Sequence, residues 1–141
     1  MRSVLFAVLV VLAGLAPARA DIVIEGSPGG EATTFLTFFE AVRQSGERVV
    51  IDGPCFSACT LALSVLPHNR ICVTSRAILG FHAAKAVDWF GNERWDPEAT
   101  RVVADAYPAP VRQWIRRHGG LTRRPIFLYG SALSRIYRRC G

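Results

Sequence analysis

Apolar and polar positions alternate along residues 22–81 in a way that predicts short strands separated by helices. Four runs rich in Val, Ile and Leu have the composition of buried strands. They are Asp21–Glu25, Arg48–Asp52, Ile71–Thr74 and Ala77–Phe81. One amphipathic helix is indicated by apolar residues at the i, i+3, i+4 and i+7 spacing, namely Phe35, Phe38, Phe39 and Val42. Gly46 would end this helix, and a second helix is expected from Ser57 to Leu66, before Pro67.

Strands that alternate with helices at this spacing are typical of βαβ crossovers. We therefore expect an α/β domain with a mostly parallel sheet and C-terminal helices. In such sheets, sites gather beyond the carboxyl ends of the strands. Gly29-Gly30, Ser57 and His82 each follow a predicted strand. The pattern predicts that these residues meet at one edge of the sheet.

The organisation changes after His82. Residues 84–96 have the composition of an exposed loop, which carries Trp89, Phe90 and Trp95 and which we interpret as a substrate-contacting flap. Three elements are predicted after it: a helix from Pro97 to His118 with a break at residues 107–110, a strand at Ile126–Tyr129 and a short helix ending at Tyr137.

Residues 1–20 have the features of an export signal. Arg2 gives a positive start, an apolar run follows, and Ala18-Arg19-Ala20 has the small-x-small form of a cleavage site. The alternative is an uncleaved anchor, although the run is short for a membrane span of ~20 residues. We expect a single domain over residues 21–141, exported to the periplasm or secreted.

Four cysteines follow the predicted signal: Cys55, Cys59, Cys72 and Cys140. An even number in an exported chain favours disulfides. Three pairings are open, and we favour Cys59 with Cys72 and Cys55 with Cys140, because a helix and the strand after it usually pack together. The alternative, a metal site built on Cys55-x3-Cys59, lacks a second ligand cluster. No metal or cofactor is expected.

Charged residues are distributed unevenly along the chain. Residues 21–100 carry six Lys or Arg and ten Asp or Glu, whereas residues 101–141 carry nine Arg and only Asp105 as an acid. This pattern indicates a solvated Arg-rich surface, and its alternative is contact with an anionic surface. A nucleic-acid partner is not expected, because no aromatic-interleaved basic motif occurs.

Ser57, His82 and the glycines form a mechanistic unit for acyl transfer. A serine hydroxyl needs a base to become nucleophilic, and histidine titrates in a suitable range. Backbone amides at a Gly-Gly turn, with the amide after the nucleophile, would hold an oxyanion. Each residue has a plainer interpretation: Ser57 could cap a helix, His82 could be a surface residue and the glycines could only shape a turn.

These motifs resemble the proteolytic subunit of the Clp protease and the wider Clp-crotonase fold. The residues that carry the resemblance are Ser27-Pro28-Gly29-Gly30, Gly53-x3-Ser57-Ala58 at a helix start, and His82 placed 25 residues after the serine. The resemblance spans residues 22–84. The segments Ser-Ala-Cys-Thr and Gly-Phe-His-Ala-Ala are also similar to small exported relatives of that fold. It implies a ββα-type spiral core, Ser57 as nucleophile, His82 as general base, and an oxyanion hole made by the amides of Gly30 and Ala58.

The sequence departs from the Clp family at the third member of the triad. That family places an aspartate after the long helix, but residues 120–130 contain no acid, and Asp105 lies inside a predicted helix. Loss of the orienting acid can cost ~10⁴ in turnover. His82 would then depend on another group, such as Thr122 or a backbone carbonyl. The chain also lacks a segment for docking an ATP-driven unfoldase, so no ATPase partner is expected.

Three functions follow from these observations. The favoured one is an exported serine hydrolase, peptidase-like, that acts on peptides or unfolded protein segments. A second is an inactive Clp-like scaffold that binds a peptide or partner protein, with Trp89 and Trp95 in the binding surface. The third is a thioester enzyme of crotonase type, which the absence of a basic nucleotide-binding motif disfavours. The resemblance also implies assembly into a homo-oligomer such as a ring or trimer.

Overall fold

The computed structural model describes residues 20–141, so all but the last residue of the predicted export signal lies outside the described residues. The strands are β1 (Ile22–Ile24), β2 (Val49–Ile51), β3 (Pro54–Phe56), β4 (Ile71–Val73), β5 (Ile78–Phe81), β6 (Lys85–Val87), β7 (Glu93–Trp95) and β8 (Ile126–Tyr129). The α-helices are α1 (Ala32–Ser45), α2 (Ala62–Val65), α3 (Pro97–Ala106), α4 (Ala109–Arg117) and α5 (Gly130–Ser134). Two 3₁₀-helices cover Ser57–Leu61 and His68–Arg70.

The fold is mixed α/β, with its strands in two short sheets and a hairpin. The first sheet has the parallel order β1-β2-β4. The second has the order β3-β5-β8, in which β3 is parallel to β5 and β8 is antiparallel. The predicted α/β class is confirmed, but two small sheets replace the expected single one. The chain passes from the first sheet to the second twice, from β2 to β3 and from β4 to β5.

Helix α1 covers one edge of the core, as its apolar spacing predicts. The Glu31 carboxylate caps its first turn by accepting hydrogen bonds from two backbone amides. Gly46 ends it in the left-handed conformation, with φ 79°. Phe39 and Val42 are buried, whereas Phe38 remains 46% exposed. The predicted apolar stripe is therefore wider than the face that the core covers.

The segment around Ser57 differs from the predicted helix. Residues 54–56 form β3, which pairs with β5 and, on its other side, with Ser27. The helix of residues 57–66 is a 3₁₀-helix followed by the four-residue α2. Pro54 is the first residue of β3, a position that needs no amide donor.

The prediction of a loop at residues 84–96 is wrong, because β6 and β7 pair there as an antiparallel hairpin. The Asp88 carboxylate forms the turn by accepting hydrogen bonds from the amides of Phe90 and Asn92. A hairpin whose turn is formed by side-chain hydrogen bonds need not show the alternation of apolar and polar residues that predicts strands. The break between α3 and α4 lies at Tyr107 and Pro108, as the two prolines predict.

The disulfides join Cys55 to Cys59 and Cys72 to Cys140. The favoured pairing is therefore wrong, although the four cysteines are all in disulfides. Cys55 in β3 reaches Cys59 because the 3₁₀-helix begins immediately after the strand, with the two Cα atoms 5.3 Å apart. Two disulfides in a small domain are compatible with an exported protein.

Buried side chains from both sheets and several helices form one hydrophobic core. The two sheets contribute residues such as Ile51 of β2 and Leu79 of β5. The segments packed on them contribute Phe39 of α1, Val111 of α4 and Tyr137, which follows α5. In the described part of the chain, no helix combines the length and apolar character that crossing a membrane would require.

Candidate active site

The Ser-Pro-Gly-Gly turn lies directly against the segment that carries Ser57. Ser27 is hydrogen-bonded to both ends of β3, donating to Pro54 O and accepting from Phe56 N at 2.7 and 3.0 Å. Gly29 follows with φ 90°, and a Cβ atom there would lie 2.6 Å from both Phe56 O and Ser57 Cβ. Only glycine permits this conformation and this approach.

Ser57 stands at a sharp strand-to-helix turn. Its φ is 53°, and within residues 20–141 it is the only residue other than glycine with a positive φ. This conformation costs roughly 1–2 kcal/mol for an L-residue. Capping does not explain it, since Phe56 is the N-cap of the 3₁₀-helix and no side chain bonds there. A strained serine between a strand and a helix has the geometry of a nucleophile elbow.

The Cys55–Cys59 disulfide closes a small ring around this turn. The two residues are four positions apart, and both are almost completely buried. Because Ser57 lies midway between them, the disulfide limits the backbone conformations of this serine. The alternative of a zinc ligand pair is wrong, since both sulfur atoms are in this bond.

His82 directly follows β5, and its ring is oriented by the main chain. Its Nδ1 lies 2.6 Å from Ala83 O. A carbonyl oxygen can only accept a hydrogen bond, so Nδ1 carries a proton, and in the neutral ring Nε2 is the nitrogen with the lone pair. Trp95 packs edge-on against the ring, with centroids 6.0 Å apart.

The group beside Nδ1 is a backbone carbonyl, and among the described residues no carboxylate is hydrogen-bonded to the His82 ring. Thr122, which was expected as an alternative group to orient His82, does not contact the ring through a hydrogen bond. Its hydroxyl bonds to Arg124 O, while its carbonyl accepts a hydrogen bond of 2.8 Å from Ala83 N. Thr122 thus holds the His82–Ala83 peptide unit, which is adjacent to the unit whose carbonyl orients the histidine.

A cavity of about 610 Å³ brings the predicted site residues together. Ser57 and His82 line it with Gly30 and Ala58, and the same serine and histidine also line a smaller cavity of about 200 Å³. No hydrogen bond joins the Ser57 hydroxyl to the His82 ring in this structure.

Two backbone donors near Ser57 are available to a ligand. In the described part of the chain, neither Gly30 N nor Ala58 N donates a hydrogen bond to a protein acceptor. The Ala58 nitrogen lies 3.1 Å from where a Cβ of Gly29 would be, so it is beside the glycine turn. Gly30 and Ala58 both line the larger cavity, which makes their amides candidate donors for an oxyanion hole.

Thr60 and Tyr107 are site residues that sequence reasoning missed. Thr60 is fully buried, and its hydroxyl lies 2.6 Å from both Ser57 O and Tyr107 Oη. Burial raises the pKa of Tyr107 to about 12. Both residues line the larger cavity. They are 47 positions apart, and no sequence pattern connects them.

Charged groups stand at the rim of the larger cavity. Glu31 lies there with its carboxylate on the amides of Thr33 and Thr34, and hydrogen bonds from these two threonines lower the pKa of Glu31 to about 2. Lys85 and Glu93 form an ion pair of 2.6 Å across the β6–β7 hairpin. The rim is therefore polar, while Leu61, Phe81 and Val103 supply apolar wall.

Two comparisons of the sequence with known proteins found no match. Neither the protein-family models nor the curated proteins include a significant match to this chain. Within residues 20–141, no group of three or more His, Cys, Asp or Glu side chains is arranged to hold a metal ion.

Proposed function

We propose that this chain is an exported serine hydrolase of Clp-like type, which cleaves acyl bonds in peptides or unfolded protein segments. The observation that carries the proposal is the left-handed backbone of Ser57, at a cavity that His82 and two unpaired amides also line. A strained serine has no evident structural purpose here, since its hydroxyl caps no helix. Strain of this kind persists where the surroundings impose it and is concentrated at functional sites.

The chemistry follows from the roles of the groups. Nε2 of His82 accepts the hydroxyl proton while Ser57 Oγ attacks the substrate carbonyl, and the amides of Gly30 and Ala58 stabilise the oxyanion. Collapse of the intermediate expels the amine or alcohol, which takes the proton from the imidazolium. Water, deprotonated by the same histidine, then hydrolyses the acyl-enzyme.

Ala83 O takes the place of the usual carboxylate beside Nδ1. A neutral carbonyl selects the same tautomer as an aspartate would, but it stabilises the imidazolium less. We therefore expect slow turnover, because acylation and deacylation both pass through the imidazolium.

The arrangement of the strands also supports a Clp-like architecture. Successive passages of the chain contribute a strand to the first sheet and then to the second, β2-β3 and β4-β5, with a helical segment after β3. One ββα unit is thus complete, β2-β3 with the helical segment after it, whereas the β6–β7 hairpin follows β5. The Clp-like spiral is therefore a proposal, whereas the mixed α/β class is what the strands and helices themselves show.

A fluorophosphonate probe tests the proposed nucleophile. The purified protein should be labelled covalently, Ser57→Ala should not be labelled, and His82→Ala should be labelled more slowly. Ser75→Ala is the matched control, because Ser75 is exposed on a turn away from the cavity and should be labelled like the unmodified protein. Equal labelling of all four proteins, or none of a folded unmodified protein, would refute the hydrolase.

A second candidate, a peptide-binding scaffold without turnover, is favoured by the hairpin tip. Trp89 and Phe90 are 97% and 86% exposed on a turn that Asp88 holds in place. If binding is the function, Trp89→Ser should weaken the binding of a fluorescein-labelled unfolded polypeptide, while Ser57→Ala should leave it unchanged. Unchanged binding by Trp89→Ser would argue against this candidate.

A further inference from the structure

A buried chain of hydroxyl groups connects the end of α3 to the turn that carries Ser57. We propose that Thr60 and Tyr107 are positioning residues, which fix the peptide unit between Ser57 and Ala58 so that the Ala58 amide points into the oxyanion site. This inference rests on the proposed function, since that function makes the Ala58 amide a donor to the oxyanion. It adds two residues to a site whose reacting groups are Ser57 and His82.

The direction of the two hydrogen bonds follows from the number of hydrogens. The Thr60 hydroxyl has one hydrogen, and it donates this hydrogen to Ser57 O at 2.6 Å. Thr60 must therefore accept from Tyr107, whose hydroxyl lies 2.6 Å away. The chain of donors thus runs from Tyr107 through Thr60 to the carbonyl of Ser57.

Holding this carbonyl also sets the direction of the neighbouring amide. In a planar trans peptide, the C=O of one residue and the N–H of the next point in opposite directions. With Ser57 O turned to Thr60, the Ala58 N–H is turned away from Thr60, and its nitrogen lies beside the glycine turn, 3.1 Å from the position of a Gly29 Cβ. A rotation of this peptide unit would withdraw the donor from the oxyanion site.

The turn needs such a restraint because Ser57 has a disfavoured backbone conformation. The Cys55–Cys59 disulfide fixes the two ends of the segment, and the Thr60 hydroxyl adds a restraint on the carbonyl inside it. Tyr107 is held in turn by Phe81, with ring centroids 5.3 Å apart at 88°. The last residue of β5 and the residue that ends α3 thus support the hydrogen bond to Ser57 O.

Three variants separate positioning from simple packing. Thr60→Val keeps the side-chain volume and loses both hydrogen bonds, Thr60→Ser retains the hydroxyl, and Tyr107→Phe removes only the outer donor. We expect Thr60→Val to lower kcat for a short-chain p-nitrophenyl ester by roughly 10- to 100-fold with KM little changed, somewhat less than deletion of an oxyanion donor. Thr60→Ser should recover kcat to within a few-fold, and Tyr107→Phe should lose a few-fold.

A smaller kcat loss in Thr60→Val than in Thr60→Ser, or a change in KM alone, would overturn the positioning role. Thermal unfolding of each variant is measured beside the kinetics, because packing damage would lower stability and rate together. If Thr60→Val does not fold, Tyr107→Phe decides the matter, since an unchanged kcat in this variant contradicts the proposed chain of donors.

A measurement without turnover separates this inference from the proposed hydrolase. The backbone amide resonance of Ala58 in ¹⁵N-labelled protein should shift in Thr60→Val and return in Thr60→Ser, whether or not Ser57 reacts. If the fluorophosphonate labels nothing but the Ala58 resonance behaves in this way, the hydrolase fails and the control of the peptide orientation stands. An Ala58 resonance that is the same in all the proteins would refute the inference, even in an active enzyme.

Discussion

The two disulfides differ in what they hold together. Cys55–Cys59 spans four positions and lies inside the turn that carries Ser57, whereas Cys72–Cys140 spans 68 positions and attaches the C-terminus to β4. In the chain-entropy description, loops of these lengths stabilise the folded state by about 2 and about 4 kcal/mol. The longer bond therefore contributes more to global stability, while the shorter bond acts on the local shape of the site.

The surroundings of the two bonds support this distinction. Beside Cys140, the chain runs along β4, with Val73 N donating to Arg138 O and Cys140 N donating to Val73 O. The longer bond, Cys72–Cys140, thus closes the first sheet on the side of β4. The shorter bond, Cys55–Cys59, lies at the second sheet, where both cysteines are buried beside the candidate active site.

Removal of the longer bond should give the largest loss of stability. We expect Cys72→Ala with Cys140→Ala to lower the free energy of unfolding by about 4 kcal/mol, measured by urea denaturation. At a temperature where the protein remains folded, the rate of fluorophosphonate labelling should stay close to that of the unmodified protein. A loss of labelling without a loss of stability would reverse the roles given to the two bonds.

Much of the first half of the fold could be predicted because its signals are local. The apolar periodicity of α1 and its stop at Gly46 correspond to a helix that ends there with a left-handed glycine. The runs around β1, β2, β4 and β5 are likewise short and strongly apolar. The convergence of Ser57 and His82 on one cavity follows from the rule that sites lie beyond strand ends.

The remainder depends on contacts between distant residues. The pairing of Cys72 with Cys140 needs the chain to return to β4 after 68 positions, which no local pattern encodes. The Thr60–Tyr107 hydrogen bond is equally distant in sequence. Strand β3 was missed because its residues include Pro54, and the hairpin was missed because the turn at Asp88 separates two strands of three residues each.

A change in the glycine turn should disturb the elbow more than the same change elsewhere. Gly29→Ala would introduce a left-handed alanine and a Cβ 2.6 Å from two atoms of the elbow, so we expect a loss of roughly 3 kcal/mol in stability. Gly91→Ala is the matched control: its φ is 85° and no atom lies within 4 Å of the added Cβ. This control should lose only about 1 kcal/mol.

Thermal denaturation compares these two variants, and labelling reports on the site. Gly29→Ala should also be labelled more slowly by the fluorophosphonate, because the glycine turn would have to move away from Ser57. Equal losses of stability in Gly29→Ala and Gly91→Ala would show that the close contact between the turn and the elbow is absent in solution.

Removal of the shorter bond should give the smallest loss of stability and a clear loss of reactivity. Cys55→Ala with Cys59→Ala should lower the free energy of unfolding by about 2 kcal/mol, because the loop that the bond closes is short. Ser57 would then be free to leave its left-handed conformation, which is costly for any residue with a Cβ, and the fluorophosphonate should label it more slowly. The comparison with Cys72→Ala and Cys140→Ala is internal, since each double variant keeps the other disulfide. Labelling at the unmodified rate would mean that the Thr60 hydrogen bond and the glycine turn hold Ser57 without help from the disulfide, and the shorter bond would then have no effect on the site.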